Sequence, residues 1–312
     1  MKTVAATTSY IEHNRHLGKR FNTEEAVLTA FSRSLGDVSL GRIRPVMISR
    51  FLDREGTSDA TVSRKRRVLA GFFRFAVSRH LLQSSPMPRC VRKGRPSSCT
   101  PHIYSEAELK RLLAAVPPAT GRRSDIDATT LRMALLLLFG AGLRRGEALR
   151  LKLTDVDGPQ SLLHIRGTKF FKTRIVPIGA SLNTALQAFI ATRRRHHATD
   201  DGMLFTKRDG TPLTGSAIAA AFRRLRKIAG IEREGGARHQ PRLHDLRHSA
   251  AVHRVTSWYR SGADLNDLLP KLATYLGHKD LSGTQRYLTM TEELLAEASR
   301  RFEAFARGPR HG

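Results

Sequence analysis

Apolar residues recur through most of this 312-residue chain at intervals of three and four, the period of helices with one face turned inward. In the first eighty residues that pattern predicts a short helix over Tyr10–Leu17 and a second over Glu24–Leu35, behind a capping Asn22 or Thr23. A third over Pro45–Leu52 starts with proline at a tolerated first position. The clearest is Asp59–Leu82, where Val62, Val68, Leu69, Phe72, Phe73, Phe75 and Ala76 make a broad apolar face. Between Ser84 and His102 the periodicity stops, and Pro86, Pro88, Pro96 and Pro101 with paired serines mark a semi-extended linker. Periodicity resumes at Glu106–Val116, with Ser105 and Glu108 at capping-box spacing. Thr129–Phe139 is apolar on most faces and is expected at the centre of its domain. Leu162–Ile165 and Arg174–Ile178 alternate as two short strands around a Gly167–Lys172 turn, and Ser181–Arg194 and Thr214–Ala229 are amphipathic helices. A last helix is predicted after Thr289, with Leu294, Leu295, Ala298, Phe302 and Phe305 on one face until Gly308. The expectation is a mainly α protein with a small antiparallel β-sheet, divided into a helical domain at 1–83, a linker at 84–102 and a second domain at 103–312.

Charge narrows the partner. Lys and Arg number 54 against 27 Asp and Glu, a formal +27, which points to a polyanion and above all to nucleic acid. An anionic membrane is the rival, but no apolar run approaches the ~20 residues of a span and no apolar signal core follows Lys2, so a cytoplasmic location is expected. The first 98 residues hold 19 of the cations and 7 of the acids, so both parts of the chain are basic and could enclose a duplex like a clamp. Arg64, Lys65, Arg66 and Arg67 lie along one turn of the long helix, and Arg92, Lys93 and Arg95 along the linker. A solvated helix face reads the same way as a lone run of four; in so basic a segment, contact with DNA phosphates is the better expectation. Cys90 and Cys99 fit neither a disulfide framework nor a metal-spaced set and are read as reduced and incidental.

The candidate chemistry gathers late in the chain. His244-Asp245-Leu246-Arg247-His248 puts a histidine and an arginine at i, i+3, where both can reach one anion. Leu276-Gly277-His278 follows, and Tyr287 stands nine positions beyond His278. Upstream, Gly142-Leu143-Arg144-Arg145-Gly146-Glu147 sets an arginine in a turn after an apolar run, and Lys169 and Lys172 lie in the turn between the strands. Guanidiniums, a lysine and imidazoles suit a phosphoryl group whose charge grows in the transition state, and a tyrosine supplies an oxygen nucleophile. Singly, each has a bland reading: Arg144 as a helix-start residue paired with Glu147, the histidines as structural, Tyr287 as a packing residue. His244 and His248 at i, i+4 have zinc-ligand spacing, but no third ligand follows, and no phosphate-cradling Gly-x-x-x-x-Gly-Lys loop occurs.

The ordered set Arg144, Lys169, His244-x-x-Arg247, His278 and Tyr287 resembles the tyrosine recombinase family, the phage integrases and Xer-like site-specific recombinases. The motifs carry that resemblance over residues 139–290; for 1–98 it is architectural, a basic helical lobe before a linker, similar to the family's SAM-like core-binding domain. The resemblance implies that Tyr287 attacks a DNA phosphate and forms a 3′-phosphotyrosyl link, that Arg144 and Arg247 hold the non-bridging oxygens, and that His278 donates to the phosphate. His244 would accept the tyrosine proton or bond a phosphate oxygen. Lys169 matches the family's general acid, with Lys172 the neighbouring alternative. It further implies duplex DNA as substrate, no cofactor, ATP or metal, a homotetramer on two DNA sites with C-terminal segments passed between protomers, and accessory proteins in some systems. Two other readings share the constellation: a type IB topoisomerase, and a catalytically silent DNA-binding regulator.

Overall fold

The computed structural model describes residues 1–36, 38–53, 58–88, 100–121, 124–167, 173–197, 202–236, 239–278 and Ser299. Among these the architecture is mainly helical with one small antiparallel sheet, as the periodicities predict. Arg92, Lys93, Arg95, Lys169, Lys172, Tyr287 and the expected C-terminal helix, apart from Ser299, lie outside the described residues. Two compact units form, one within residues 1–98 and one in the remainder.

The first unit contains α1 (Thr3–His16), α2 (Asn22–Leu35), α3 (Pro45–Leu52) and α4 (Asp59–Ser78). Its core is Leu28 and Phe31 from α2, Ile48 and Leu52 from α3, and Leu69, Phe72 and Phe73 from α4, all buried. Each buried phenylalanine contributes about 2–3 kcal/mol of transfer free energy. Three boundaries differ from the periodic reading. α1 begins at Thr3 instead of Tyr10, because Ala6 and Thr7 are buried, Thr7 Oγ1 meets Ser32 Oγ at 3.2 Å and the Thr3 amide bonds Val38 O at 3.0 Å; these contacts override the weak helix propensity of the threonines. α2 begins at Asn22 with Phe21 as its N-cap, at φ 51°, and neither Asn22 nor Thr23 caps it; the Phe21 ring packs edge-on against Tyr10 at 5.4 Å. α4 ends four residues early, because His80 turns to φ 56° and the Leu81 and Leu82 amides fold back to Ala76 O, laying both leucines on the core.

In the second unit, Ser105 accepts the Glu108 amide at 3.2 Å while Glu108 returns to the Ser105 amide at 2.8 Å, so the predicted capping box opens α5 (Glu106–Ala114). The helix stops before Val116 because Pro117 and Pro118 lack amide donors, and one turn, α6 (Val116–Ala119), restarts there. Asp127 caps α7 (Ala128–Gly140), which buries seven residues and packs against its neighbours on several sides, as its apolar circumference demands. After the one-turn α8 (Arg145–Ala148) comes a sheet in the order β1 (Val156–Asp157), β2 (Leu162–Ile165), β3 (Arg174–Pro177), with Leu163 paired to Val176 and both buried. The two-residue β1 is too short to leave a periodic signal. α9 (Ala180–His197) and α10 (Gly215–Ile228) follow, then α11 (Asp245–Arg260) and α12 (Leu265–Leu276), which share a small core of Val252, Val255, Leu272 and Leu276. Among the described residues no helix is long and apolar enough to cross a membrane.

Candidate DNA strand-transfer site

The spacing Gly-Leu-Arg-x-x-Glu has a local cause. After α7 the chain must reverse, and Gly142 does so at φ 58°, where a Cβ would also meet Leu276 Cδ2 at 2.9 Å. Leu143 is then fully buried and fixes the register, and Arg144 adopts extended backbone as the N-cap of α8. Three residues on, Glu147 reaches back to the Arg144 amide at 2.9 Å and to its Nη1 at 2.8 Å. The pairing that the bland reading of Arg144 anticipates is therefore present, but it accounts for only part of the guanidinium, whose Nη2 donates to Gly277 O at 2.7 Å.

Arg247 stands in the first turn of α11, 2 % exposed. Its Nη1 donates to Gly142 O at 2.6 Å and its Nη2 to Leu276 O at 2.5 Å. Asp245, the residue between the histidine and the arginine, is buried and closes the helix start by accepting from the Arg242 amide at 2.9 Å and its Nη2 at 3.0 Å. His244 is the N-cap, accessible to solvent, and its ring meets His248 edge to face at 4.8 Å. Loss of hydration lowers the His244 pKa, and the charges of Arg247, Arg242 and Arg144 lower it further against Asp245, so the neutral imidazole is favoured. His278 follows Gly277, which ends α12 at φ 67°, and its amide returns to Ala273 O at 2.9 Å in a six-to-one helix closure.

Those contacts share one focus. The carbonyls of Tyr275 and Leu276 are the last of α12, where helix acceptors lack partners and the helix dipole is negative, and that of Gly277 follows at the cap. Arg174 Nε takes the first at 3.0 Å, Arg247 the second and Arg144 the third. Arg174 also grips Glu147 with both fork nitrogens, Nη1 to Oε1 at 2.9 Å and Nη2 to Oε2 at 2.8 Å, and Arg247 Nη1 lies 3.8 Å from the same carboxylate. Burial alone would raise the Glu147 carboxyl, but the Arg174 hydrogen bonds and charge, with the Arg144 amide and guanidinium, hold it down to about 2.

Four of the expected residues thus fall in one neighbourhood: Arg144 and Arg247 on the end of α12, His278 beside it, and His244 three residues from Arg247. Beside them a cleft of about 670 Å³ is lined by Arg144, Arg145, Arg223, Lys227, Arg242 and His244, cationic as a phosphate backbone requires. Arg223, Lys227 and Arg242 escape the sequence reading, since cations are ubiquitous in this chain, whereas Arg145 is the neighbour that competes with Arg144 within its own motif. Glu147 is expected only as a partner of Arg144, yet it serves three arginines. Arg174 is missed; its one signal is that it shares a strand face with buried Val176 two residues on. In the first unit, Arg64 and Arg67 are exposed and Arg66 half-buried, whereas Lys65 rests its ammonium 4.6 Å from the Phe51 ring centre and 3.3 Å from Phe51 O, committed at least partly to its own fold.

The model of the phage integrase family matches residues 103–293. The chain is 35% identical over 306 residues to y4rB of Sinorhizobium fredii, whose own designation as an integrase/recombinase is provisional, covering 96% of each. It is 32% identical over 247 residues to tyrosine recombinase XerA of Thermococcus onnurineus, covering 79% of this chain and 77% of that protein. In fold it is similar to the Tn1549 transposon integrase in complex with a circular intermediate DNA, at TM-score 0.68 and 19% identity over 97% of this chain and 99% of the other. The lambda integrase dimer bound to a core site gives TM-score 0.64 and 20% identity over 90% and 96%.

Proposed function

Since the chain belongs to the phage integrase family, the tyrosine recombinases, we propose that it is a site-specific recombinase that cuts and rejoins duplex DNA through Tyr287. The Tyr287 phenol oxygen attacks the scissile phosphorus, the bond to the 5′-oxygen breaks, and a 3′-phosphotyrosyl ester forms. The phenol proton passes to His244, and Lys169 gives a proton to the departing 5′-oxygen, which leaves as the 5′-hydroxyl. A second 5′-hydroxyl reverses these steps on a different partner strand. One phosphoester replaces another, so the exchange is nearly isoenergetic and uses neither ATP nor metal. Arg144 and Arg247 hold the non-bridging oxygens, a task suited to the forked guanidinium, and His278 donates beside them.

The observation that carries this reading is the meeting of Arg144 and Arg247, 103 positions apart, on the carbonyls of Leu276 and Gly277. It brings two cations to the residues that lead into His278. The neutral imidazole that this environment favours at His244 is the form able to accept a proton. Both units are basic and would contact the duplex phosphates, and four protomers on two sites would pass C-terminal segments between them.

A nicked suicide substrate tests the proposal. Wild-type protein should leave a covalent complex on a denaturing gel, and Tyr287→Phe should bind the same DNA and leave none. A normal adduct from Tyr287→Phe removes Tyr287 from the role, and an adduct accompanied by supercoil relaxation without partner exchange favours the topoisomerase reading.

A further inference from the structure

We infer that Arg174 is a positioning residue that neutralises Glu147 and thereby keeps the Arg144 guanidinium available for the scissile phosphate. The inference rests on the reading of Arg144 as a phosphate ligand. Arg174 is held by the protein through all three of its nitrogens, both fork nitrogens on Glu147 and Nε on Tyr275 O. Its attachment is built into the fold. Gly277 has φ 67°, and a Cβ there would meet Arg174 Nη1 at 2.8 Å, so the residue that ends α12 leaves room for this guanidinium to cross.

The electrostatic consequence follows from where Glu147 sits. The carboxylate is 3% exposed, 2.8 Å from Arg144 Nη1 and 3.8 Å from Arg247 Nη1. Without Arg174, a carboxylate so buried and already bonded to Arg144 would subtract its full charge from the positive field that an incoming phosphate meets. Bidentate pairing with Arg174 takes up both carboxylate oxygens at once, the strongest geometry open to a carboxylate. The pair is then close to neutral, and Arg144 and Arg247 keep their two positive charges for the substrate. Arg174 also binds the β3 strand to the last turn of α12, so the same contact fixes the distance between Glu147 and the Gly277 carbonyl that orients Arg144.

Single-turnover cleavage of the nicked substrate, with equilibrium binding measured alongside, decides the matter. Arg174→Ala should slow covalent-complex formation by about 30-fold or more while changing affinity for the site by less than about threefold, a loss confined to the transition state. Arg174→Lys, which keeps the charge without the fork, should recover part of the rate. In an Arg144→Lys background, Arg174→Ala should cost less than about threefold further, because two residues acting through one contact are not additive. Unchanged cleavage by Arg174→Ala, a rate that falls only in step with affinity, or the full loss repeated in the Arg144→Lys background would each overturn the inference. If Arg174→Ala does not fold, Arg174→Lys carries the same three comparisons. Absence of any adduct from wild-type protein would instead strike the functional proposal.

Discussion

Replacing Glu147 by glutamine keeps the shape of the side chain and removes one charge from the middle of three guanidiniums. In the folded protein the carboxyl titrates at about 2, against its usual 4.5. A displacement of that size corresponds to about 3 kcal/mol of stability at neutral pH. Because the folded value is depressed, the contribution is complete above pH 4.5 and is lost as pH falls toward 2. By pH 3 about 2 kcal/mol of it should have gone. Glu147→Gln lacks this term and also leaves Arg144, Arg174 and Arg247 without their shared counter-charge, so it should be less stable than wild type by about 3–5 kcal/mol at pH 7.

The chain's single tryptophan, Trp258, lies on α11 in the second unit, so its fluorescence during urea unfolding reports the unit that holds Glu147. The informative quantity is the difference between wild type and variant at each pH, since the other carboxylates titrate alike in both and cancel. That difference should shrink by about 2 kcal/mol between pH 7 and pH 3. A difference that stays constant across this range would mean that Glu147 stabilises by packing alone, and the account of its three arginines would fall.

Two further outcomes follow from charge. Binding that neutralises ~8 phosphates should give a log-affinity slope against log salt near about −7 and should be indifferent to chelators; a slope of about one or two would refute a grip by both units. The His244 imidazole should titrate below 6.5 in an NMR pH series, with the neutral form persisting as pH falls through that value; a midpoint at or above 6.5 would refute the account of its lost hydration and neighbouring guanidiniums.

Helices that bury one face announced themselves, because periodicity and capping residues are local: α3 starts at Pro45, the Ser105–Glu108 box forms, and α7 is central. The boundaries that moved did so where distant side chains decided the matter, as Thr7 with Ser32 at α1 and Phe21 with Tyr10 at α2. The site shows the same division. Residue types in order were enough to nominate Arg144, His244, Arg247 and His278. What they touch was not legible, since Arg144 meets Gly277 across 133 positions, Arg247 meets Gly142 across 105 and Arg174 meets Tyr275 across 101. Backbone carbonyls carry no residue-specific mark, so no sequence signal could pair them with those arginines.

The convergence on one helix terminus bears on how such a site can be ready before substrate arrives. A free arginine loses about 2 kcal/mol of rotamer entropy when a ligand fixes it. Here the loss is incurred on folding, because the end of α12 holds the guanidiniums by carbonyls that need donors in any case. The Gly142 and Leu276 carbonyls hold Arg247 from two sides, and Glu147 and Gly277 O hold Arg144 in the same manner. Each contact fixes a plane as well as a position, so the orientation of both guanidiniums is set by the fold. The acceptors are mostly neutral backbone and Glu147 is matched by Arg174, so the orientation is obtained without surrendering the charge, which is the condition for stabilising an anion that grows in the transition state.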